Sequence, residues 1–476
     1  VGKKSKFAKT KIVATIGPAS TDESTLLKMI KNGMSAARLN FSHGSHDHHL
    51  EVIRKIRKLS AIEDIPVVIL QDLSGPKIRL GSLPEPVQLK RNQVIKLSVE
   101  SREKDPEAHL YSDFRQLTDI VKKGETLLVN DGNIELKTVE VQRTYVLCKV
   151  KVPGIANSRK GINLPESTIS IPVFTEKDEK DLKFGLSQGI DMVAMSFVES
   201  PANIVPIKEM MQKFSREIPV IAKIERPTAL KHIEGIMEVF DGIMIARGDL
   251  GVEVPLEDVP VIQKRLIQLA NRKNRLVITA TQMLESMINN PRPTRAEASD
   301  VSNAILDGSD AVMLSGETAV GSYPVKAVNM MQRIIRKTEH SRIYQCSIDL
   351  DKETFNHTEA IVRSAARIAS DLKAKFIIVF SFSGDTALRL SKYRPYCPVF
   401  AFSPQKDAVT RMASYWGIRP HLISFTRNTD EMIQYGEEVL RTKLLAKKGD
   451  LMITVSGKAP MKGATNMLRI SRFGEQ

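Results

Sequence analysis

Long hydrophobic runs are missing from this 476-residue sequence: nowhere do 18 apolar residues follow one another. No membrane-spanning helix is therefore expected. Cysteine is scarce. Cys148, Cys346 and Cys397 are three in number, far apart and without a CxxC pair. That excludes a disulfide framework and a cysteine-built zinc site, and it suits a reducing compartment. Aromatic residues make up only 5% of the chain, and tryptophan occurs once. Nucleic-acid platforms need more of them, interleaved with clustered Lys and Arg. A GxSxG elbow, a Walker A loop, a GxGxxG fingerprint and histidines at metal-ligand spacing are also absent. The opening VGKKSKFAKTKIVATIG has a basic stretch, but its apolar run is too brief for a secretory leader. A cytoplasmic protein is expected.

The composition that remains is ordinary for a folded protein: 42% hydrophobic and 26% charged. The length calls for more than one domain. Lys plus Arg number 70 and Asp plus Glu 55, a balance of +15. Such a balance suits polyanionic ligands, either nucleic acid or phosphorylated metabolites. Here the cations are spread over many helical stretches, as in RKIRKLS (54–60). They read as solvated helix faces, so neither a nucleic-acid nor a membrane partner is expected.

Along the first 340 residues two patterns alternate. Short β-branched apolar runs read as buried parallel strands: 11–16, 36–41, 66–73, 191–197, 219–225, 241–247, 275–282 and 310–316. Amphipathic helical stretches lie between them. Eight strands and eight helices in alternation predict an α/β fold, a (β/α)8 TIM barrel. One connection is anomalous. Residues 74–173 hold short alternating strands and the hairpin signal LLVNDGNIELKTVEV, turning at Asn-Asp-Gly. A loop that long is a domain of its own. It leaves at a strand-to-helix junction, the catalytic face, and is placed to act as a lid. After 342 a further α/β pattern starts. The expected division is 1–73 and 174–342 for the barrel, 74–173 for the inserted β-barrel lid, and 343–476 for a C-terminal α/β domain.

Catalytic groups of such barrels sit at the C-terminal ends of the strands. Polar residues recur there at spacing two, which puts partners on one side of a strand. Arg38, Asn40 and Ser42 close the second strand; Lys223 and Glu225 the fifth; Arg247 and Asp249 the sixth; Ser315 and Glu317 the eighth. Asp72, Ser196 and Thr281 close the third, fourth and seventh. Glu225 and Asp249 suit a hard divalent cation, which takes one or two carboxylates and completes its shell with water and substrate oxygens. Arg38 and Lys223 suit a transferring phosphoryl group or a developing enolate. ARGDLG (246–251) offers small residues and backbone N–H donors where a loop is expected to begin, a place for a carboxylate or phosphate. The pieces imply metal-assisted chemistry on a phosphorylated or carboxylated small molecule.

On KIVATIGPAS, ARLNFSHG, LQDLSGPKIRLG, KGINLP, AKIERPTAL, GIMIARGDLGVEVP, the long block from ITATQMLESM to SGETAVGSYP, and the closing SGKAPMKGATNMLRI, the chain resembles the pyruvate kinases. The match runs in order through essentially the whole sequence. The resemblance implies phosphoryl transfer from phosphoenolpyruvate to ADP, giving pyruvate and ATP, as the last step of glycolysis. It also implies a homotetramer and Mg2+ or Mn2+ as cofactor. Residue by residue, it makes Lys223, Arg38 and Thr281 catalytic. Lys223, Gly248, Asp249, Thr281 and Ser196 become substrate contacts. Glu225 and Asp249 become ligands of the divalent cation, and Asn40, His43, Arg79 and Lys160 contacts of the nucleotide. Asn40, Ser42 and Asp72 match a monovalent-cation site.

The chain departs from the family's usual pattern at DLSGPKIR (72–79), where Leu73 stands for a threonine and Lys77 for a glutamate. A lysine there predicts that its ammonium replaces K+, which is then not required. SFSGDT (381–386) matches an effector-phosphate loop, with Ser381, Ser383, Gly384 and Thr386 as contacts for a phosphorylated allosteric ligand; Asp385 opposes it. Two other readings are a carbon–carbon lyase acting on pyruvate enolate and a basic nucleic-acid-binding scaffold with a dead barrel. The insertion with Arg79 and Lys160 speaks against the first; intact Lys223, Glu225, Asp249 and Thr281 speak against the second.

Overall fold

The computed structural model describes residues 8–166, 172–341, 343–344, 356–424, 428–457 and 465–475. Cys346 and most of the SGKAPMKGAT stretch lie outside the described residues. Eight parallel strands close a barrel: Lys11–Ile16, Met34–Asn40, Val68–Asp72, Met192–Met195, Val220–Ile224, Gly242–Ala246, Leu276–Ala280 and Ala311–Leu314. Closure joins the first strand to the eighth, with Lys11 beside Ala311, and to the second, with Ile12 beside Met34. Each strand falls within two residues of its sequence-predicted span or is trimmed at the ends. The strands are buried on both faces, which their β-branched runs require. Period-two alternation divides them: Ile12 and Ala14 pack outward among helix residues such as Leu26 and Ile335, while Val13, Ala36 and Leu70 pack inward.

The helices start where side chains can cap them. Asp22 accepts from the Thr25 N–H, and Ser45 from the His48 N–H. Thr175 with Asp178, and Thr294 with Glu297, form reciprocal capping boxes. Two details differ from expectation. The stretch TALKHIEGIMEVF is broken into Pro227–Lys231 and Ile233–Val239. ARGDLG, expected as a loop, is a short helix, Arg247–Glu253, beginning directly at the end of the sixth strand.

The insertion forms a six-stranded sheet and a two-stranded ribbon around its own apolar core, with Leu89, Leu97, Leu127 and Val146 at its centre. The expected hairpin pairs Thr126–Val129 with Ile134–Val141. Its turn places Asn130, Asp131 and Gly132 all at positive φ, where Asn, Asp and Gly are the tolerated types. In the C-terminal unit five strands run in the order Ile418–Leu422, Val399–Ser403, Phe376–Phe380, Leu451–Gly457, Thr465–Arg472, the last antiparallel. HLISF (421–425) reads as a strand; its last residue lies outside the described residues, and the observed strand is Ile418–Leu422. It holds Pro420, which an edge strand tolerates because one side of its backbone needs no partner.

A buried ionic cluster fastens this unit to the N-terminal rim of the barrel. Asp310 and Lys392 have no exposed surface. Lys392 Nζ donates to Asp310 Oδ2, to Asn271 Oδ1 at 3.2 Å and to the Arg275 carbonyl at 2.6 Å. Arg394 donates to Asp310 Oδ1 at 2.8 Å and stacks its guanidinium 4.9 Å over the single tryptophan, Trp416. Among the described residues no helix is long and apolar enough to cross a membrane.

Candidate active site

Three barrel strands aim charged side chains at one point of the mouth. Arg38 Nε, from the second strand, donates to Asp72 Oδ2 of the third at 2.6 Å, and its other arm reaches Thr15 Oγ1 of the first at 2.9 Å. Lys223 Nζ, from the fifth, lies 2.8 Å from Glu225 Oε1 and 3.3 Å from Asp72 Oδ1. It also donates to Ser196 Oγ at 2.7 Å, and Ser196 in turn donates to the Leu73 carbonyl. Glu225 Oε2 accepts the Phe197 N–H at 2.7 Å. Phe197 has φ of 56°, an uncommon backbone state for an aromatic residue and one that turns its N–H toward Glu225.

The charges hold one another. Burial alone would push the Lys223 ammonium down, but the carboxylates of Asp72 and Glu225 outweigh it and keep it above the ordinary lysine value. Burial would raise the Asp72 carboxyl; Lys223 and Arg38 more than reverse that. Glu225 is different. Burial pushes it above its ordinary value, Lys223 offsets this only in part, and the negative charge of Asp249 adds to it. Two carboxylates that repel across a mouth are a donor set that a cation relieves. Asp249 accepts no hydrogen bond among the described residues and is about one-third exposed, at 30%. Among the described residues no group of three or more His, Cys, Asp or Glu gathers, at this mouth or anywhere else, so the protein offers the Glu225–Asp249 pair alone. The pair fits a hard divalent ion that takes the rest of its shell from water and substrate.

Thr281 follows the seventh strand with φ of 66°. Its hydroxyl accepts the Gly248 N–H at 2.8 Å and donates to the Ala280 carbonyl. The sequence reading left the Gly248 N–H free for a substrate carboxylate. In the structure it is engaged by Thr281, so a ligand there must share or displace that bond. A Cβ at Gly248 would meet Thr281 Oγ1 at 3.4 Å, an ordinary van der Waals contact.

Lys77, whose ammonium is expected to stand in for K+, faces a carboxylate of the proposed metal pair. Lys77 Nζ is 3.6 Å from Asp249 Oδ1. Among the described residues no ion pair joins it to Asp72, which is taken by Arg38 and Lys223. Asn40 Oδ1 accepts from the Ser42 N–H, and Ser42 Oγ donates to Ser74 Oγ at 3.1 Å. Between the third strand and Lys77 lies a turn at Gly75, which has φ of +63° and whose carbonyl accepts from the Lys77 N–H at 3.0 Å. His43 stands near this group: burial and then the charges of Arg79, Lys77 and Arg38 hold its imidazole below the usual value. Arg79 and Lys160 sit together at the base of the insertion, where Arg79 bridges to Gly161 and the Leu80 N–H donates to the Lys160 carbonyl.

Two strand-end residues do other work. Arg247 is spent on Asp300 and the Thr281 carbonyl. Glu317 accepts from the N–H groups of Leu284 and Ser315, tying down loops. In the C-terminal unit, Gly384 has φ of 91° and caps the helix Asp385–Lys392. Thr386 Oγ1 is 2.7 Å from Thr465 Oγ1, the Ser381 N–H donates to the Phe402 carbonyl, and Asp385 pairs with Arg389 at 2.8 Å. Sequence reasoning missed Thr15, Asp178 and Glu253. Of these only Asp178 had a signal, the Thr-x-x-Asp pattern of a capping box at 175–178. Glu253 meets the insertion through Asn163 at 3.2 Å, a contact with no local signature.

Residues 7–328 match the family model described as pyruvate kinase, barrel domain, and residues 359–471 the one described as pyruvate kinase, alpha/beta domain. The chain is 41% identical over 469 residues to the pyruvate kinase of Corynebacterium glutamicum, covering 98% of both. It is 40% identical over 472 residues to that of Clostridium perfringens, covering 98% of this chain and all of the relative. To pyruvate kinase 2 of Synechocystis it is 42% identical, covering 97% of this chain and 79% of that one. Similarity this long, on a closed eight-stranded barrel whose mouth gathers Arg38, Asp72, Lys223 and Glu225, makes the chain a member of the pyruvate kinase family.

Proposed function

We propose that this chain catalyses the family's reaction, phosphoryl transfer from phosphoenolpyruvate to ADP, at the mouth around Lys223. The observation that carries the reading is the charged Lys223 ammonium, held between Asp72, Glu225 and Ser196 and pointing out of a buried site. Phosphoryl transfer needs charge neutralised on the moving group, with donor and acceptor held in line. Lys223 and Arg38 supply fixed positive charge for the phosphoryl oxygens and for the enolate it leaves behind. Their partners fix both side chains in advance, so no reorganisation is needed during the transfer. Thr281 and the first turn of Arg247–Glu253 suit the substrate carboxylate. His43, Arg79 and Lys160 suit the nucleotide, and the insertion suits a lid that excludes water.

The family generally uses a divalent metal. Glu225 and Asp249 would hold it here, and when bound it supplies a Lewis-acid charge against substrate oxygens. Mg2+ or Mn2+ fits this oxygen set. K+ is not required in this reading. Arg38 and Lys223 already neutralise Asp72, and Lys77 adds a further positive charge at the mouth. A homotetramer and a cytoplasmic location belong to the same reading, as does a phosphorylated effector held near Ser381, Ser383, Gly384 and Thr386. A coupled assay for pyruvate from phosphoenolpyruvate and ADP, with and without Mg2+, tests the function. Absence of Mg2+-dependent pyruvate formation overturns it. Running the assay with tetramethylammonium as the only monovalent cation tests the K+ statement; a large rise on adding K+ at constant ionic strength refutes it.

A further inference from the structure

The chain leaves the barrel for the insertion just after the third strand, and it returns at the helix Glu176–Ser187. The start of that helix grips the exit. Asp178 is 1% exposed, and its two carboxylate oxygens have separate tasks. Oδ2 accepts from the Thr175 N–H at 3.0 Å, one bond of the capping box, and from Thr175 Oγ1 at 2.6 Å; the other bond of the box runs from the Asp178 N–H to Thr175 Oγ1 at 3.1 Å. Oδ1 accepts from the Gly75 N–H at 3.1 Å, 103 residues away in sequence. A cap does not need that bond. Lys177 Nζ donates to the Phe41 carbonyl at 2.6 Å, and Asp181 pairs with His46 at 2.7 Å, so the loop after the second strand is held from the same helix.

Gly75 is wedged on its other side. It has φ of +63°, and a Cβ would lie 2.8 Å from the Phe197 ring and 3.0 Å from Ser196 Cβ. Ser196 and Phe197 are the residues that hold Lys223 and Glu225. The Gly75 carbonyl accepts from the Lys77 N–H at 3.0 Å, and Arg79 follows two residues on. The turn clamped by Asp178 thus sets where the lid is attached and where the segment carrying Lys77 of the mouth and Arg79 of the nucleotide side begins. A backbone N–H bonded to a buried carboxylate is among the stronger hydrogen bonds a protein makes.

We infer that Asp178 is a positioning residue for nucleotide binding: its Oδ1 fixes the Gly75 turn through which the lid is attached, and so orients Lys77 and Arg79. The inference rests on the nucleotide site proposed above. Three variants of the full chain separate this role from helix capping: Asp178→Ala, Asp178→Asn and Thr175→Ala. Thr175→Ala breaks the cap and keeps the Gly75 bond. Asp178→Asn keeps an oxygen for Gly75 but loses part of the cap. Two readouts are independent of turnover: amide hydrogen exchange over residues 73–79, and ADP affinity by calorimetry. In Asp178→Ala, exchange in that segment rises and ADP affinity falls by about tenfold, the scale of one charge-assisted hydrogen bond. Thr175→Ala melts earlier but keeps both values, and Asp178→Asn restores them while melting early as well. Unchanged exchange or unchanged ADP affinity in Asp178→Ala overturns the inference. So does Thr175→Ala reproducing both effects, which leaves Asp178 a cap and nothing more. A wild-type chain that binds ADP but transfers no phosphoryl group defeats the proposed function alone.

Discussion

The barrel carries a buried ionic cluster at each end, built from nearly the same groups. At the N-terminal rim, Asp310 meets Lys392 and Arg394; at the mouth, Asp72 meets Lys223 and Arg38. The difference lies in what surrounds them. At the rim the Lys392 and Asp310 side chains have no exposed surface, and Lys392 is ringed by a carboxylate, an amide oxygen and a carbonyl. At the mouth the Lys223 and Arg38 side chains stay 11% and 12% exposed. Asp72 Oδ1 has an ion pair but no hydrogen bond there, and Asp249 is open. Among the described residues the rim leaves only the Arg394 Nε without a hydrogen bond, a donor sealed from solvent. A cluster closed off from solvent is a fastener; one that faces a cleft with carboxylate oxygens still to satisfy is a site.

If that contrast holds, the same substitution at the two ends moves different observables. Lys392→Met leaves the buried Asp310 charge with Arg394 as its one cation, beside the Val277 N–H, and removing one partner of such a pair costs about 3–5 kcal/mol. Trp416 is the only tryptophan, is 1% exposed and lies under Arg394, so its fluorescence in a urea titration reads the loss directly. Turnover of the still-folded enzyme is expected to stay near normal. A variant as stable as wild type would show the rim cluster to be ornamental.

Lys223→Met is the mirror experiment. Loss of a preorganised charge at a developing oxyanion costs about 10²–10³ in kcat, roughly 3–4 kcal/mol. The urea midpoint is expected to shift far less than in Lys392→Met, because water reaches the mouth and Arg38 stays on Asp72. Near-normal kcat in folded protein would remove Lys223 from the chemistry.

The contrast was only half visible in the sequence. Barrel strands announce themselves as β-branched runs, and polar residues at spacing two mark their C-terminal ends, so Arg38, Lys223 and Glu225 could be placed before any coordinates. Lys392 could not. It sits on an amphipathic helix where a lysine normally faces water, and only the approach of Asp310, from 82 residues earlier, buries it. The Asp178–Gly75 bond is non-local in the same way. ARGDLG misled for a different reason: Gly248 and Gly251 lower helix propensity, yet the Thr281 hydroxyl on the Gly248 N–H and packing on the sixth strand override it. The reach of Lys77 to Asp249 has no signal in the sequence either, because spacing does not say which way a chain turns at a glycine with positive φ.

A smaller effect sharpens the distinction between open and closed valences at the mouth. Glu225→Gln and Asp249→Asn each remove a charged oxygen from the donor pair. The half-saturating Mg2+ concentration is expected to rise by about tenfold or more in each, the worth of one charged ligand contact. Unchanged Mg2+ titrations in both variants would place the metal elsewhere.

The smallest effect tests the rim from the other side, at a lysine that has no carboxylate of its own. Lys11 Nζ donates to the Ile418 carbonyl at 2.8 Å, and none of the described ion pairs includes it. Glu339 is near but occupied by the Lys9 and Thr10 N–H groups and the Thr10 hydroxyl. Burial first, and then Arg419, lower the Lys11 ammonium from 10.5 to about 7, with Glu339 opposing. The unfolded chain keeps the ordinary value, so between about 7 and 10.5 it holds a proton that the folded chain has released. Stability contributed by this residue therefore rises with pH across that window; below it both states are charged and the burial cost is felt in full. Lys11→Met removes the cost along with one hydrogen bond. A net gain of about 1 kcal/mol at pH 7 is expected, shrinking as pH rises toward 10. Urea titrations of both proteins at pH 6, 7, 8 and 9 follow the difference. Parallel curves would mean that Lys11 is solvated or paired, and that an unmatched lysine at the rim costs the fold nothing.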